Sequence, residues 1–351
     1  MDFEQQGKGL DQVEAHTGNP SRMVNAAIVG LGWWGRTIAR DLSKSDVIRP
    51  VLGIDPLEGG RQVASEFGLR TSDRFEDVLD DPSIDAVVLC SPHRFHADQI
   101  VAAAKAGKHV FCEKPLCTTG ADVERAVAAV REAGVQLGIG HERRFEPSVI
   151  DLRNRFAAGE FGTALQIEAN FSQDKFFALP PDNWRLSPSE SPVGPLSATG
   201  IHLVDLSIAI FGQPKEVWAR LSTRGSSFAN GDTLAITIGF QNGATALLSA
   251  ILATPFVGRL AVYGSKGWME IRDRTHPENP TGWDVTTVHR GEEPQTVFAA
   301  PHPAVRDNLE SFAKAVIGTA PYPVSLEEII ANVRTFEAIS RSVASGRIET
   351  I

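Results

Sequence analysis

The sequence predicts an α/β protein that has two domains: a doubly wound parallel sheet followed by an α+β domain with a mostly antiparallel, open-faced sheet. The length of 351 residues exceeds what one ordinary hydrophobic core supports. Through the first third of the chain, short apolar runs alternate with helical patterns, which is typical of parallel sheets. After about residue 146, longer alternating segments follow one another across tight turns, which favours antiparallel strands.

The first domain is predicted over residues 23–146. Its strands are expected at residues 25–29, 49–54, 86–89, 108–111 and 136–139, with helices at 34–42, 61–67, 96–106 and 120–132. Helices of this length between strands indicate right-handed βαβ units. The near-continuous apolar run Ala86–Leu89 suits a sheet that is buried on both faces.

The second domain is predicted over residues 147–351. Strands are expected at 165–171, 216–221, 233–240, 244–252, 260–263 and 268–272, and helices at 149–158, 305–317 and 326–344. Residues 176–200 contain several prolines and little periodicity, so we expect an ordered loop over a cleft. The polar residues 1–22 lack the apolar segment of a secretory signal and are expected to form a flexible extension.

Charge and composition narrow the class of partner. The formal net charge is −9, so the chain lacks the positive field that draws proteins to nucleic acid or to anionic lipid. No apolar run approaches the roughly 20 residues that a membrane span needs. The three cysteines, Cys90, Cys112 and Cys117, form no recognisable pair and are expected as reduced, buried thiols of a cytoplasmic protein. We therefore expect a small-molecule partner.

The clearest motif is the run Gly30-Leu31-Gly32-Trp33-Trp34-Gly35, which follows an apolar strand and opens a helix. In that context Gly30 permits the tight turn, Gly32 lets the backbone approach a pyrophosphate, and Gly35 lets helix and strand pack closely. This is the Rossmann fingerprint of dinucleotide binding, with the anion at the helix N-terminus.

The second strand supports this interpretation and indicates which dinucleotide binds. It ends at Asp55, whose carboxylate can accept hydrogen bonds from the adenosine ribose hydroxyls and repel a 2′-phosphate. The sequence therefore favours NAD(H) over NADP(H), although the nearby Arg61 could soften the preference.

Two further strand ends carry polar side chains. The third strand leads into Ser91, Pro92 and His93, with His96 one turn on, at the edge where open α/β sheets bind ligands. No third metal ligand has a usable spacing, so no metal site is predicted. The fourth strand stops at Glu113 and Lys114, where burial lowers the pKa of a lysine and a neighbouring glutamate raises it. A lysine in this position is a candidate general acid/base.

Several motifs together resemble the Gfo/Idh/MocA oxidoreductases. They are the glycine run 30–35, Ser91-Pro92 with His96, the run 106–110 leading into Glu113-Lys114-Pro115, Arg144-Phe145, Asn183-Trp184-Arg185, and the run 200–205 that contains His202. The resemblance extends from about residue 23 to the C-terminus.

The resemblance implies a dehydrogenase of sugars, cyclitols or related diols. Lys114 would be the acid/base group, Glu113 would orient it and contact the ribose, and His202 would assist. Trp184 and Arg185 would line the nicotinamide and substrate cleft. The candidate cofactor contacts are Gly30, Gly32, Trp33, Trp34, Gly35, Asp55, Ser91, Pro92, His93, His96, Glu113, Lys114, Trp184 and Arg185, and the candidate substrate contacts are Lys114, Arg143, Trp184, His202 and Asp205.

One departure from the family pattern bears on the mechanism. Inositol dehydrogenase-like members carry an aspartate four residues before the histidine, where this chain has Ala198. Either Lys114 and His202 suffice, or the site performs a different reaction. The alternatives are a glycosidase or oxidoreductase that retains its NAD without net NADH, and a non-catalytic NAD-binding regulator.

Three expectations concern the second domain. Arg143 and Arg144, flanked by Glu142 and Glu146, are expected in local ion pairs, with a substrate-anion role as the alternative. Asp205 lies on the helical face of His202 and either pairs with it or is an ordinary polar residue. The open sheet face should expose apolar area, which predicts a homodimer or homotetramer through that face.

Overall fold

A computed structural model describes residues 22–351 of the chain. The predicted flexible extension therefore lies outside the described residues, apart from its last member, Arg22. Within the described part, the two predicted sheets are both present, and the predicted fold class is confirmed.

The first sheet contains six parallel strands in the order β3-β2-β1-β4-β5-β6. Its elements are β1 (Val24–Val29), α1 (Trp33–Leu42), β2 (Ile48–Ile54), α2 (Glu58–Glu66), β3 (Arg70–Ser72), α3 (Glu76–Leu79), β4 (Ala86–Leu89), α4 (His93–Lys105), β5 (His109–Cys112), α5 (Gly120–Ala133) and β6 (Leu137–Ile139). All four residues of β4 are buried, as expected for a strand with helices on both faces. The strand order reverses between β1 and β4, so a crevice opens at their carboxyl ends.

The second sheet contains nine strands in the order β14-β13-β12-β11-β7-β10-β9-β8-β15. Its elements are α6 (Pro147–Ala157), β7 (Ala164–Ser172), α7 (Ile201–Phe211), β8 (Pro214–Ser222), β9 (Thr233–Phe240), β10 (Thr245–Ile251), β11 (Val257–Gly264), β12 (Gly267–Asp273), β13 (Trp283–His289), β14 (Gln295–Ala299), α8 (Ala304–Val316), α9 (Leu326–Ser345) and β15 (Glu349–Thr350). Every neighbouring pair is antiparallel except β7 and β10, which are parallel.

The last two helices tie the domains together. In α8, Leu309 and Phe312 are fully buried in the core of the first sheet, and the Phe312 ring meets Phe111 of β5 edge-on with centroids 5.7 Å apart. Helix α9 packs Ile329 into the first domain and Phe336 into the second. The division at residues 146 and 147 stays a prediction, but the packing of α8 shows that part of the predicted second domain completes the core of the first.

One face of the second sheet is covered by helices α6, α7 and α9, and the other is open. Along β10, the residues alternate between buried positions and positions at the open face, where Leu247 is 39% exposed. Trp218 on β8 and Val257 on β11 are similarly exposed. Within residues 22–351, no helix has both the length and the apolar character needed to cross a membrane.

Candidate active site

The glycine turn after β1 is closely packed at Gly30 and Gly35 and has open space at Gly32. Gly30 has a φ of +89°, and a Cβ there would lie 2.8 Å from the backbone of Cys90. A Cβ on Gly35 would lie 2.0 Å from the carbonyl oxygen of Gly30, whereas a Cβ on Gly32 would meet no atom within 4 Å. Helix α1 begins directly after Gly32 without a side-chain cap, so its first N–H groups have no intrahelical acceptor. Open space beside free N–H donors fits a pyrophosphate.

Asp55 is held beside this turn at the end of β2. Its Oδ2 accepts a hydrogen bond from Leu31 N at 2.8 Å, and its Oδ1 accepts one from Leu57 N at 2.9 Å. The guanidinium of Arg61 donates instead to the carbonyl oxygens of Asp55 and Pro56, each at 2.9 Å. Arg61 therefore forms no hydrogen bond with the Asp55 carboxylate, which has lone pairs left for a ribose.

The loop after β4 is anchored by a buried histidine. His96 is fully buried, and its two ring nitrogens lie 3.0 Å from Pro115 O and 2.8 Å from Ser91 O. The ring therefore fixes the Ser91-Pro92 turn against the segment that follows Lys114. Burial lowers the pKa of His96, while the contacts with the Ser91 and Pro115 carbonyl oxygens act in the opposite direction. Among residues 22–351, no group of three or more metal-ligating side chains is found.

Lys114 lies at the carboxyl end of β5 and points into the cleft between the domains. Its Nζ donates to the carbonyl oxygen of Ala198 at 2.7 Å, across the domain boundary. Burial lowers the pKa of Lys114, while the neighbouring carboxylates Glu142 and Glu113 act in the opposite direction. Burial also raises the pKa of Glu113 to about 7. A lysine with a lowered pKa at a strand end is suited to proton transfer.

His202 faces Lys114 from the second domain, on α7. It follows a π-helical turn, Leu196–Gly200, which contains the Ala198 carbonyl that Lys114 contacts. The ring is buried, and its Nδ1 has no hydrogen-bond partner. Burial, with the charge of Lys114, holds the pKa of His202 well below its usual value. The side chain is therefore a neutral imidazole with one free nitrogen beside the lysine.

Aromatic side chains close the cofactor end of the cleft. Trp184, in the loop before the π-helical turn, packs edge-on against the His93 ring with centroids 4.7 Å apart. The Arg185 guanidinium lies 4.3 Å from the Trp184 ring centre, and burial lowers its pKa to about 10. Trp34 also lines the cleft, and Trp33 is 41% exposed at its edge. The predicted residues of both domains are thus brought together.

Two predicted substrate contacts, Arg143 and Asp205, are not among the residues that line the cleft. Arg143 is buried and bonds to Glu146 at 3.1 Å and to Asp273 at 2.8 Å. Both carboxylate oxygens of Asp205 accept from Arg144 at 2.7 Å. The expectation of a substrate role therefore disagrees with the structure, since buried ion pairs occupy these side chains. Of the two alternatives considered for Asp205, pairing with His202 is not observed, because Arg144 is the partner of this carboxylate.

The structure adds cleft residues that the sequence analysis did not assign to the site. Glu142 contacts the cleft from the turn after β6, and Gln173 and His276 bond to each other there at 2.7 Å. Glu142 had been expected in an ion pair because arginines follow it, but those arginines select other carboxylates. Gln173 and His276 come from distant segments, and no sequence motif connects them.

The fold and the site define a dinucleotide-binding oxidoreductase. Residues 24–141 match the family model described as "Oxidoreductase family, NAD-binding Rossmann fold", and residues 149–270 match the C-terminal domain model of the GFO/IDH/MocA family. The chain therefore belongs to the GFO/IDH/MocA oxidoreductases and is an enzyme. This confirms the resemblance seen in the sequence.

Relatives align over nearly the whole chain. An uncharacterized oxidoreductase of Bacillus subtilis, YrbE, is 28% identical over 93% of this chain and 96% of its own length. D-xylose 1-dehydrogenase (NADP(+)) 2 of Haloferax volcanii is 29% identical over 81% of this chain and 86% of its own. The crystal structure of aldose-aldose oxidoreductase from Caulobacter crescentus, complexed with glycerol, superposes with a TM-score of 0.83 at 26% identity, covering 94% of this chain and 100% of that one.

Proposed function

We propose that the protein is an NAD(H)-dependent dehydrogenase that moves a hydride between the nicotinamide and a secondary hydroxyl or ketone of a sugar, cyclitol or cyclic diol. The observation that carries this proposal is the position of Lys114. Its amine lies where the first domain's cofactor-binding edge meets the second domain, and His202 is beside it. The relatives named for D-xylose and for aldoses support this substrate class.

In the proposed mechanism the chain's own residues handle the proton. When bound, the oxidised nicotinamide supplies an acceptor for the carbinol hydrogen together with its electron pair. The neutral amine of Lys114 takes the proton from the substrate hydroxyl, so that the O–H bond breaks as the C=O bond forms. The other ring nitrogen of His202, Nε2, which does not face Glu142, contacts the same oxygen and fixes its position. Reduction uses the same groups in reverse, with the ammonium of Lys114 as the proton donor.

The cleft walls suit a small polyhydroxylated ring. Phe171 and Phe176 supply apolar surface, and the bonded pair Gln173 and His276 supplies polar atoms on the same wall. Ligand sites of this kind combine apolar walls with a few fixed polar groups that orient the ligand. We expect a panel of polyols, aldoses and cyclic diols with NAD⁺ to give increasing absorbance at 340 nm for at least one member. If product forms from none of them while NAD is bound, the dehydrogenase proposal is wrong.

The choice of NAD over NADP is proposed to depend on Asp55. Replacing Asp55 by asparagine removes the charge that repels a 2′-phosphate and keeps the side-chain size beside Gly60. We expect the ratio of kcat/KM for NAD⁺ to that for NADP⁺ to fall by about tenfold, equivalent to ~1.4 kcal/mol. The measurement is the ratio for both cofactors with one substrate, and the exposed Asp73→Asn in the same domain is the control. An unchanged ratio in Asp55→Asn would exclude this role.

A retained cofactor is the second candidate. The structural neighbour named aldose-aldose oxidoreductase, at 26% identity, favours it, since that name describes oxidation of one sugar with reduction of another. In that case the protein would convert an aldose pair without accumulating NADH. Chromatography of the products, run beside the 340 nm assay, separates the two candidates.

We also propose that the enzyme forms a homodimer or homotetramer through the open face of the second sheet. The partly exposed Trp218, Leu247 and Val257 on that face support the proposal. Sedimentation equilibrium at micromolar concentration should give a multiple of the chain mass for the wild type and a smaller assembly for Leu247→Arg. A monomeric wild type would refute it.

The free state of all three cysteines supports a location in the cytoplasm.

A further inference from the structure

Two polar atoms near Lys114 are buried without partners. The Oε2 of Glu142 and the Nδ1 of His202 have no hydrogen-bond partner, and they lie 3.8 Å from each other. A buried polar atom without a partner costs about 1–3 kcal/mol, so such an atom in a native protein calls for an explanation. The separation of 3.8 Å is longer than a hydrogen bond, and one bridging water or a small side-chain rotation closes it.

The charged residues next to Glu142 in sequence are engaged elsewhere. Arg143 is engaged by Glu146 and Asp273, and the next residue, Arg144, is engaged by other carboxylates. The two arginines that follow Glu142 in sequence therefore form no ion pair with its carboxylate. Of the charges around Lys114, that of Glu142 raises the lysine pKa most. At residue 198 the chain offers Lys114 a carbonyl oxygen and no carboxylate.

We propose that Glu142 is the carboxylate partner of Lys114, and that it relays the proton of Lys114 to solvent. Glu142 is a positioning residue in this scheme, because it acts through Lys114 and not on the substrate. Lys114 and Glu142 form no direct ion pair, so after the amine has taken the substrate proton, a bridging water carries one proton from the ammonium to the Glu142 carboxylate. The amine is then neutral again, and the carboxylic acid releases the proton to water. His202 holds the carboxylate in place through its free nitrogen.

The position of Glu142 provides an exit for the proton. Glu142 lines the substrate cleft and also an adjoining second cavity, whose other lining residues include Thr37, Asp41 and His302. A group that borders both spaces can accept a proton on one side and lose it on the other. Burial and the nearby Glu113 raise the pKa of Glu142 to about 7, so the carboxyl can hold and release a proton near neutral pH.

The pH dependence follows from the groups that face Glu142. These are Glu113 and Lys114 after β5, His202 on α7, Arg143 and Glu146 in its own segment, and Asp41, Glu278 and His302 across the second cavity. Removing the Glu142 charge lowers the pKa of Lys114, because a carboxylate favours the ammonium form. The neutral amine then exists at lower pH, so the rising limb of the oxidation rate moves to lower pH.

The test compares Glu142→Gln and Glu142→Asp with the wild type, and the exposed Glu132→Gln serves as the surface control. This test rests on the proposed dehydrogenase function. We expect Glu142→Gln to lose about tenfold or more in kcat, and no more than the ~10²–10⁴-fold that a positioned acid/base group contributes. KM should stay unchanged, imidazole should partly restore the rate of Glu142→Gln, and Glu142→Asp should keep part of the activity. An unchanged kcat and pH profile in Glu142→Gln would overturn the proposal.

A second readout does not depend on turnover. Reductive ¹³C-methylation followed by NMR gives the pKa of Lys114 in the wild type and in Glu142→Gln, with Lys114→Met identifying the signal. We expect a lower Lys114 pKa in Glu142→Gln, and an equal value would overturn the relay. If the wild type turns over no substrate, the dehydrogenase proposal fails, while this titration still decides whether Glu142 controls the proton of Lys114.

Discussion

Lys114→Met should lower kcat by about 10²–10⁴-fold, the usual contribution of a positioned acid/base group. Methionine has a similar length but cannot carry the proton, and it loses the 2.7 Å bond to the Ala198 carbonyl. The cofactor should still bind, because the glycine turn and Asp55 lie on other strand ends. The measurement is kcat from absorbance at 340 nm, together with NAD affinity from fluorescence quenching of the cleft tryptophans.

Lys105→Met is the matched control for this substitution. Lys105 is exposed at the end of α4, so its replacement should leave both kcat and NAD affinity unchanged. If Lys114→Met retained wild-type turnover with folded protein, another group would be the acid/base, and the mechanism proposed above would be wrong.

Gly35→Ala should destabilise the protein and abolish dinucleotide binding. An alanine Cβ would lie 2.0 Å from the Gly30 carbonyl oxygen, so helix α1 must shift away from the turn. Overpacking of this kind costs about 1–3 kcal/mol, and the gain in helix propensity, up to about 1 kcal/mol, does not offset its upper range. Any shift of α1 also moves the N–H groups that would hold the pyrophosphate. Both Tm and NAD affinity should fall.

Gly32→Ala separates the loss of stability from the loss of NAD binding. A Cβ at residue 32 meets no atom of the protein within 4 Å, and its φ of −68° suits alanine. We therefore expect an unchanged Tm with weaker NAD binding, because the methyl group enters the space left for the pyrophosphate. The measurements are thermal denaturation and NAD titration of both variants. Equal NAD affinity in Gly32→Ala and wild type would show that the dinucleotide does not approach this turn.

The first domain could be predicted well because its strands are buried on both faces and its turns carry glycine. Three of the strands that were missed have weak sequence patterns for physical reasons. Strand β3 has only three residues, β15 has two, and four of the five β14 residues are exposed. The return of α8 to the first sheet could not be foreseen, because an apolar helical face does not indicate which sheet it covers.

The site was predictable where one local motif carries the chemistry. The glycine turn, Asp55 and Lys114 each end a strand, and parallel strands bring such ends to one edge. Arg143 and Asp205 were misjudged as substrate contacts because buried ion pairs join residues that are distant in sequence. Glu142 was missed because the adjacent arginines predicted an ion pair for it. In the structure those arginines pair with other carboxylates.

The most direct test of the proposed dehydrogenase uses the polyol that gives the highest turnover, deuterated at the carbinol carbon. Mass spectrometry then measures deuterium in the NADH that is released and in the ketone product. The account predicts one deuterium in NADH for each ketone formed, with the signal absent in Lys114→Met. Ketone formed without deuterated NADH in solution would contradict net hydride transfer to an exchangeable NAD and would favour a retained cofactor.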